Sequence, residues 1–258
     1  MKNIGFLLLV AFFLTSCSKE GSMANDAGTA EGKGGSMARF AIKGDVLYTV
    51  STNTMQIFSI EDAANPTHVG EREIYIGFDI ETVFPMDTLL FIGSRSGMYV
   101  YNIVNPQAPK LLSQVQHLRS CDPVVAQGHY AYVTLSTNFS SCGALTNNVL
   151  DIYDITNPLK PLLKNTVQLT GPMGLGIDGD RLFVCDKGLK VFDLSDPVNI
   201  RQLYFFADMN EANIREAYDV IPVDGLLILV AKEGLFQFDY TGDRLKFLSK
   251  ILIKQNMP

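Results

Sequence analysis

The chain has 258 residues, a formal net charge of −6, 47% hydrophobic residues and 19% charged residues. A mildly acidic surface without a basic cluster argues against nucleic acid as a partner. The length allows one or two domains, and a closed repeat array reaches this size as one.

The first elements in chain order concern address. Lys2 precedes the apolar run Ile4–Leu14. A membrane-spanning helix needs ~20 apolar residues, so this run is too short to span and marks residues 1–16 as a signal peptide. It ends in Leu14-Thr15-Ser16-Cys17, which resembles the bacterial lipobox. The resemblance implies cleavage before Cys17 and acylation of its sulfur. Each buried methylene contributes ~0.8 kcal/mol, so several chains hold a domain to a membrane without a span. Residues 17–36, rich in Gly, Ala and Ser, bury too little surface to order themselves and are expected to be a tether. Ser18-Lys19-Glu20 resembles the charged export signal of some Bacteroidetes lipoproteins, although charged residues are common in any tether. Residues 37–258 contain no second linker and form the domain.

Within that domain one phrase recurs, an apolar strand closed by a turn: Met55–Pro66, Met98–Pro106, Leu150–Pro158, Leu189–Pro197 and Leu235–Asp243. A period of ~40 residues, rich in β-branched and aromatic residues, indicates radial or stacked β-modules. Each copy opens with a short apolar segment and a polar turn: Lys43-Gly44-Asp45, Met86-Asp87, Gln127-Gly128, Asp178-Gly179-Asp180 and Asp224-Gly225. Such pairs tolerate the positive φ of tight hairpins. A second strand follows, aligned on Tyr48, Phe91, Tyr132, Phe183 and Ile228. The phrase is the third strand. Leu150, Ile152 and Ile155 alternate with Asp151, Tyr153 and Asp154, a half-buried period of two with a slip near its end. Proline lacks the N–H for the ladder and ends the strand. A more polar fourth strand, such as His68–Ile74 or Leu162–Leu169, completes the copy. The expected fold is therefore all-β, a β-propeller of five four-stranded blades. Phe58, Tyr101, Tyr153, Phe192 and Phe238 share one repeat position and are expected in the core, as is the apolar-flanked Cys185.

The copies Leu150–Pro158 and Leu189–Pro197 resemble the LVIVD repeat of bacterial and archaeal surface proteins. Ser120-Cys121-Asp122-Pro123-Val124-Val125, followed by Ala131–Leu135, is similar to a segment of Bacteroidetes lipoproteins carrying that repeat. The first and fifth copies depart from the pattern: two extra residues precede Asn65-Pro66, and Gly242-Asp243 replaces the final Asx-Pro. The resemblance implies a propeller and an exported lipoprotein of the outer membrane, exposed at the cell surface or facing the periplasm. It implies no particular activity.

Strand connectivity sorts the loops onto two faces. The third copy is longer at Thr137–Asn148, and long loops are where function tends to sit. Cys121 and Cys142 fall on the rim carrying that insert, and in an exported protein they are expected to form a disulfide worth ~3 kcal/mol in the chain-entropy model. The entries to the first strands place Arg39, Glu81, Asp122, Tyr218 and Asp219 at the channel mouth. Carboxylates converging there could bind a cation or sugar hydroxyls; a solvated, cross-linked polar rim is the plainer expectation. His68, His117 and His129 lack zinc-site spacing, no phosphate loop or Gly-x-Ser-x-Gly elbow is present, and no metal, cofactor or catalytic set is expected. Three functions remain: a lipid-anchored, non-catalytic module binding a protein or glycan, a hydrolase or lyase using Glu81, Asp122 and Asp219, and a structural role in envelope organisation.

Overall fold

In the computed structural model the described residues are 31–32, 34–71, 73–116, 123–136, 148–206, 214 and 216–253. Every regular element among them is a strand. Blade 1 holds β1 (Glu31–Gly32), β2 (Phe40–Lys43), β3 (Val46–Val50), β4 (Thr54–Ser59), β5 (Thr67–His68) and β6 (Ile74–Tyr75). Blade 2 holds β7 (Ile80–Met86), β8 (Leu89–Ser94), β9 (Gly97–Asn102) and β10 (Lys110–Gln116). Blade 3 holds β11 (Val124–Gln127), β12 (Tyr130–Leu135), β13 (Val149–Asp154) and β14 (Leu162–Gln168). Blade 4 holds β15 (Pro172–Asp178), β16 (Arg181–Asp186), β17 (Leu189–Asp193) and β18 (Arg201–Phe206). Blade 5 holds β19 (Ala217–Val223), β20 (Leu226–Ala231), β21 (Gly234–Asp239) and β22 (Lys246–Leu252). Neighbouring strands within each sheet follow chain order and pair antiparallel, giving a five-bladed β-propeller.

Two local devices repeat. The first residue of the turn between the inner two strands lies in the left-handed region in every blade: Gly44 (φ 57°), Asp87 (49°), Gly128 (59°), Gly179 (53°) and Asp224 (48°). Glycine takes this conformation without a Cβ penalty and aspartate tolerates it, so these two types occupy the position. At the end of the third strand Asn102, Asp154, Asp193 and Asp239 each accept the backbone N–H two residues on. These Asx turns start the reversal, which proline then enforces in blades 2 to 4 but not after Asp239. We call the rim carrying both kinds of turn the proline face, and the opposite rim the loop face.

The alternation expected in the third strand holds in blade 4, where Lys190 is half-buried between buried Leu189 and Val191, but not in blades 2 and 3. Leu150, Asp151, Ile152 and Tyr153 are all buried, because blade 3 has a neighbour on each side. The expected slip is present as a bulge between Ile152 and Tyr153. In blades 2 to 4 the second strand is buried from its second residue onward, whereas β3 and β20 alternate buried with half-buried residues.

Packing between blades explains the difference. Four apolar clusters fill the junctions 1–2, 2–3, 3–4 and 4–5. Tyr48, Phe91, Tyr132 and Phe183 each face the following blade and are fully or almost fully buried. No such cluster spans blades 5 and 1 among the described residues. There the aromatic is replaced by half-buried Ile228, and the facing wall of blade 1 carries Thr49, Gln56 and Phe58, also half-buried. Phe58 therefore departs from its expected place in the core, stacking on His68 at 4.1 Å, while Tyr101, Tyr153, Phe192 and Phe238 are buried. The fourth strand of blade 1 also differs from expectation: the span 68–74 is broken into β5 and β6, both pairing with β4.

The tether expected through residue 36 gives way to ordered structure before its end. β1 pairs with the proline-face end of β2, Glu31 opposite Lys43. The chain then turns over at 35–38, closed by the Ala38 N–H donating to the Gly35 carbonyl. Gly35 and Ser36 are buried. An N-terminal hairpin thus occupies the bore of the propeller.

Candidate functional site

The bore is lined by the first strand of each blade. A cavity of about 90 Å³ remains there, bounded by Ala41, Val83, Val125, Leu175 and Val220, with Ser36 at one side. Pockets for organic ligands run to ~300–1,000 Å³, so the bore as folded admits no sugar.

Asp219 shows what holds the hairpin in place. Its carboxylate is buried and accepts from Ser36 Oγ (3.0 Å), the Met37 N–H (3.1 Å) and the Val220 N–H (2.9 Å). Ser36 Oγ in turn accepts the Leu175 N–H at 2.7 Å, so one hydroxyl ties blades 1, 4 and 5 together. Burial pushes the Asp219 carboxyl up to about 6, and the three donors hold it back from rising further. The approach requires glycine: a Cβ on Gly35 would fall 1.9 Å from Asp219 Oδ2, and one on Gly174 2.2 Å from Oδ1. A titration near 6 would suit a general acid, but these oxygens are spent on the hairpin.

Of the other residues expected at the mouth, Glu81, Tyr218 and Arg39 lie on the loop face, apart from one another. Glu81 sits 3.8 Å from Arg95, whose guanidinium also reaches Asp79 at 3.2 Å. Tyr218 donates to Glu216 Oε2 at 3.3 Å, and Glu216 pairs with Lys232. Arg39 is exposed, with its carbonyl accepting the Val50 N–H. Asp122, Cys121, Cys142, His117 and the signal and lipidation residues around Cys17 lie outside the described residues.

A second buried carboxylate organises the same rim in blade 4. Asp186 accepts the Thr170 and Gly171 N–H groups and pairs with Lys190 Nζ at 2.6 Å. Cys185 beside it is buried and free; burial first, then the charges of Asp219 and Asp186, pushes its thiol well up, so it is inert filler. Among the described residues no group of three or more His, Cys, Asp or Glu side chains could hold a metal ion.

Sequence reasoning missed Gly35 and Ser36, because a Gly/Ser-rich stretch carries no pattern that announces a buried turn. It also missed Arg181, which bridges blades 4 and 5 through the Tyr240 and Gly242 carbonyls, although the loss of Asx-Pro in the fifth copy was a visible signal.

The fold is a five-bladed β-propeller, and within it residues 119–168, mostly blade 3, match the LVIVD repeat. No curated protein matches the sequence. Among solved structures, the chain is similar to apo AztD from Citrobacter koseri (TM-score 0.57, 11% identity), covering 79% of this chain and 58% of that one. It is similar to a functionally unknown protein from Desulfotomaculum acetoxidans (TM-score 0.58, 16% identity), covering 80% and 68%. It is also similar to a candidate 6-phosphogluconolactonase from Bacteroides fragilis (TM-score 0.61, 10% identity), covering 83% and 69%. The chain spans little more than half the length of AztD, and identities this low speak to the fold alone.

Proposed function

We propose that this chain is a cell-envelope lipoprotein of the Bacteroidetes type, acylated at Cys17 in the outer membrane, whose propeller is a non-catalytic binding module for a protein or glycan. One observation carries the reading. β1 meets β2 at the proline-face end, so Glu31 stands on that side. The connections between 116 and 123, 136 and 148, and 206 and 216 all leave and return on the loop face. A propeller held by acyl chains through this N-terminal segment turns its loop face away from the membrane. The Arg39, Glu81 and Tyr218 rim, together with Asp122 and the insert that a Cys121–Cys142 bond would staple, is then what a partner meets. Asp219 supports that rim from beneath by holding the hairpin.

Replacing Cys17 by Ala should move the protein from the membrane fraction to the soluble fraction; unchanged fractionation removes the anchor. Binding is tested separately, with the Cys17→Ala chain on immobilised envelope glycans and in cross-linking to envelope proteins. A partner retained by this chain and lost on Arg39→Ala or Tyr218→Ala supports the loop-face reading. Retention unaffected by both substitutions refutes it.

A further inference from the structure

The N-terminal hairpin closes the bore with almost no apolar surface. Of residues 34–38 only Gly35 and Ser36 are buried; Ala38 is half-buried and Met37 is 41% exposed. The four packed junctions between blades are each held by a cluster of aliphatic and aromatic side chains. β1 adds two backbone pairings to β2, Glu31 with Lys43 and Gly32 with Ile42. A glycine and a serine gain little from leaving water, so the hold on this hairpin is polar.

That hold converges on one carboxylate. The Ser36 hydroxyl and the Met37 N–H both donate to Asp219, and Ser36 Oγ accepts the Leu175 N–H. Gly35 and Gly174 lack the side chains that would keep the hairpin and β15 away from its oxygens. No cation offsets the charge. Residues 34–38 carry none, and Lys33 lies outside the described residues. β20 has no titratable side chain, and the one acid of β15, Asp178, stands at its far end against the Tyr240 hydroxyl. β16 brings the buried Cys185 thiol and Asp186, which Lys190 neutralises. On β19 itself Tyr218 turns to Glu216, just ahead of the strand, and Glu216 pairs with Lys232.

We propose that the hairpin is a releasable plug latched on Asp219: ionisation of that carboxylate loosens it, and its departure opens the bore between the first strands. Burial penalises only the charged form of the carboxyl, and water entering an opened bore removes the penalty. Seated, the group titrates at about 6, against an ordinary value of 3.8. Seating the hairpin therefore takes up a proton between those two values. The balance shifts toward release by on the order of 100-fold from pH 4 to pH 7. Release enlarges the cavity of about 90 Å³ that the seated hairpin leaves. In a chain anchored as proposed above, it also lengthens the tether by residues 31–38, roughly 25 Å at full extension. The latch itself does not rest on that anchor.

Amide hydrogen exchange on the full Cys17→Ala chain reads the latch without involving the anchor. The Met37 and Leu175 amides donate to Asp219 and Ser36, bonds that exist only while the hairpin is seated. Corrected for intrinsic rates, their opening constants should rise on the order of 100-fold between pH 4 and pH 7. Urea well below the unfolding midpoint should leave these openings unchanged, whereas the Ile92 amide, in the β8 ladder, opens with the whole domain. Asp219→Asn, which cannot ionise, should flatten the pH profile of both amides. A flat profile in the Cys17→Ala chain overturns the proposal, and so does a urea dependence equal to that of Ile92. A pH profile that survives Asp219→Asn overturns it as well. The first two outcomes need no substitution at 219, so they decide the matter even where that variant fails to fold.

Discussion

Leu229 and Ile228 are adjacent on β20, and their truncation tests the open junction directly. Leu229 is fully buried in the cluster between blades 4 and 5. Removing such a side chain loses its transfer free energy and leaves a cavity, so Leu229→Ala should cost ~2–5 kcal/mol. Ile228 points the other way, is half-buried, and faces the junction with blade 1 where no apolar cluster forms. Full burial of an isoleucine is worth ~1.5–3 kcal/mol, so half of that without a cavity term puts Ile228→Ala at ~1 kcal/mol. The expected gap between the two variants is ~2 kcal/mol. Equilibrium urea denaturation measures it, with Ile92→Ala as reference, because Ile92 is fully buried between blades 1 and 2. Losses at Ile228 and Leu229 that agree within ~0.5 kcal/mol would mean that blades 5 and 1 are packed as tightly as the others, and the argument from alternating burial would fail.

Asp219 makes stability depend on pH in a recognisable direction. Its folded carboxyl titrates at about 6 against 3.8 unfolded, so between those values the native state holds a proton that the unfolded state has released. Stability from this group therefore falls as pH rises from ~4 to ~6, by an amount on the order of 3 kcal/mol, and Asp219→Asn should remove that fall in urea titrations compared across pH. A variant with an unchanged pH profile would show that another group carries it. Lys190→Met leaves the buried Asp186 carboxylate without its cation, at a cost of ~3–5 kcal/mol in thermal or urea unfolding; a loss below ~1 kcal/mol would show that the Thr170 and Gly171 amides suffice. The paired Cys121→Ser and Cys142→Ser substitutions should speed proteolysis between strands β12 and β13 while leaving the main unfolding transition cooperative. Collapse of the whole transition would contradict a local role.

Much of the blade architecture was legible because it is set within a few residues. The left-handed turn residue limits its position to Gly or Asp, and the Asx side chain closes the next reversal, so Gly179-Asp180 and Asp193–Pro197 announce their turns without help from the rest of the chain. The candidate rim was legible in part. Arg39, Glu81 and Tyr218 fall on one face because strand order alone puts them there. Their partners were not legible: Glu81 meets Arg95 across a hairpin, and Asp219 meets Ser36 across most of the chain length. Phe58 shows the same boundary from another side. Its residue type matches core positions in other copies, but its burial depends on a neighbouring blade that does not close over it.

The sequence by itself determined the number of blades, the strand order of the repeat and the place of its proline-face turns, since these follow from steric preferences and a period of two along short stretches. Only the tertiary structure decided which faces are covered, how the first strands leave a bore too small for a sugar, and why the N-terminal hairpin sits within it. The physical reason is that burial of a sheet's second face and the charge state of a carboxylate such as Asp219 depend on what lies across the axis, and separation in space around a ring leaves no periodic trace along the chain.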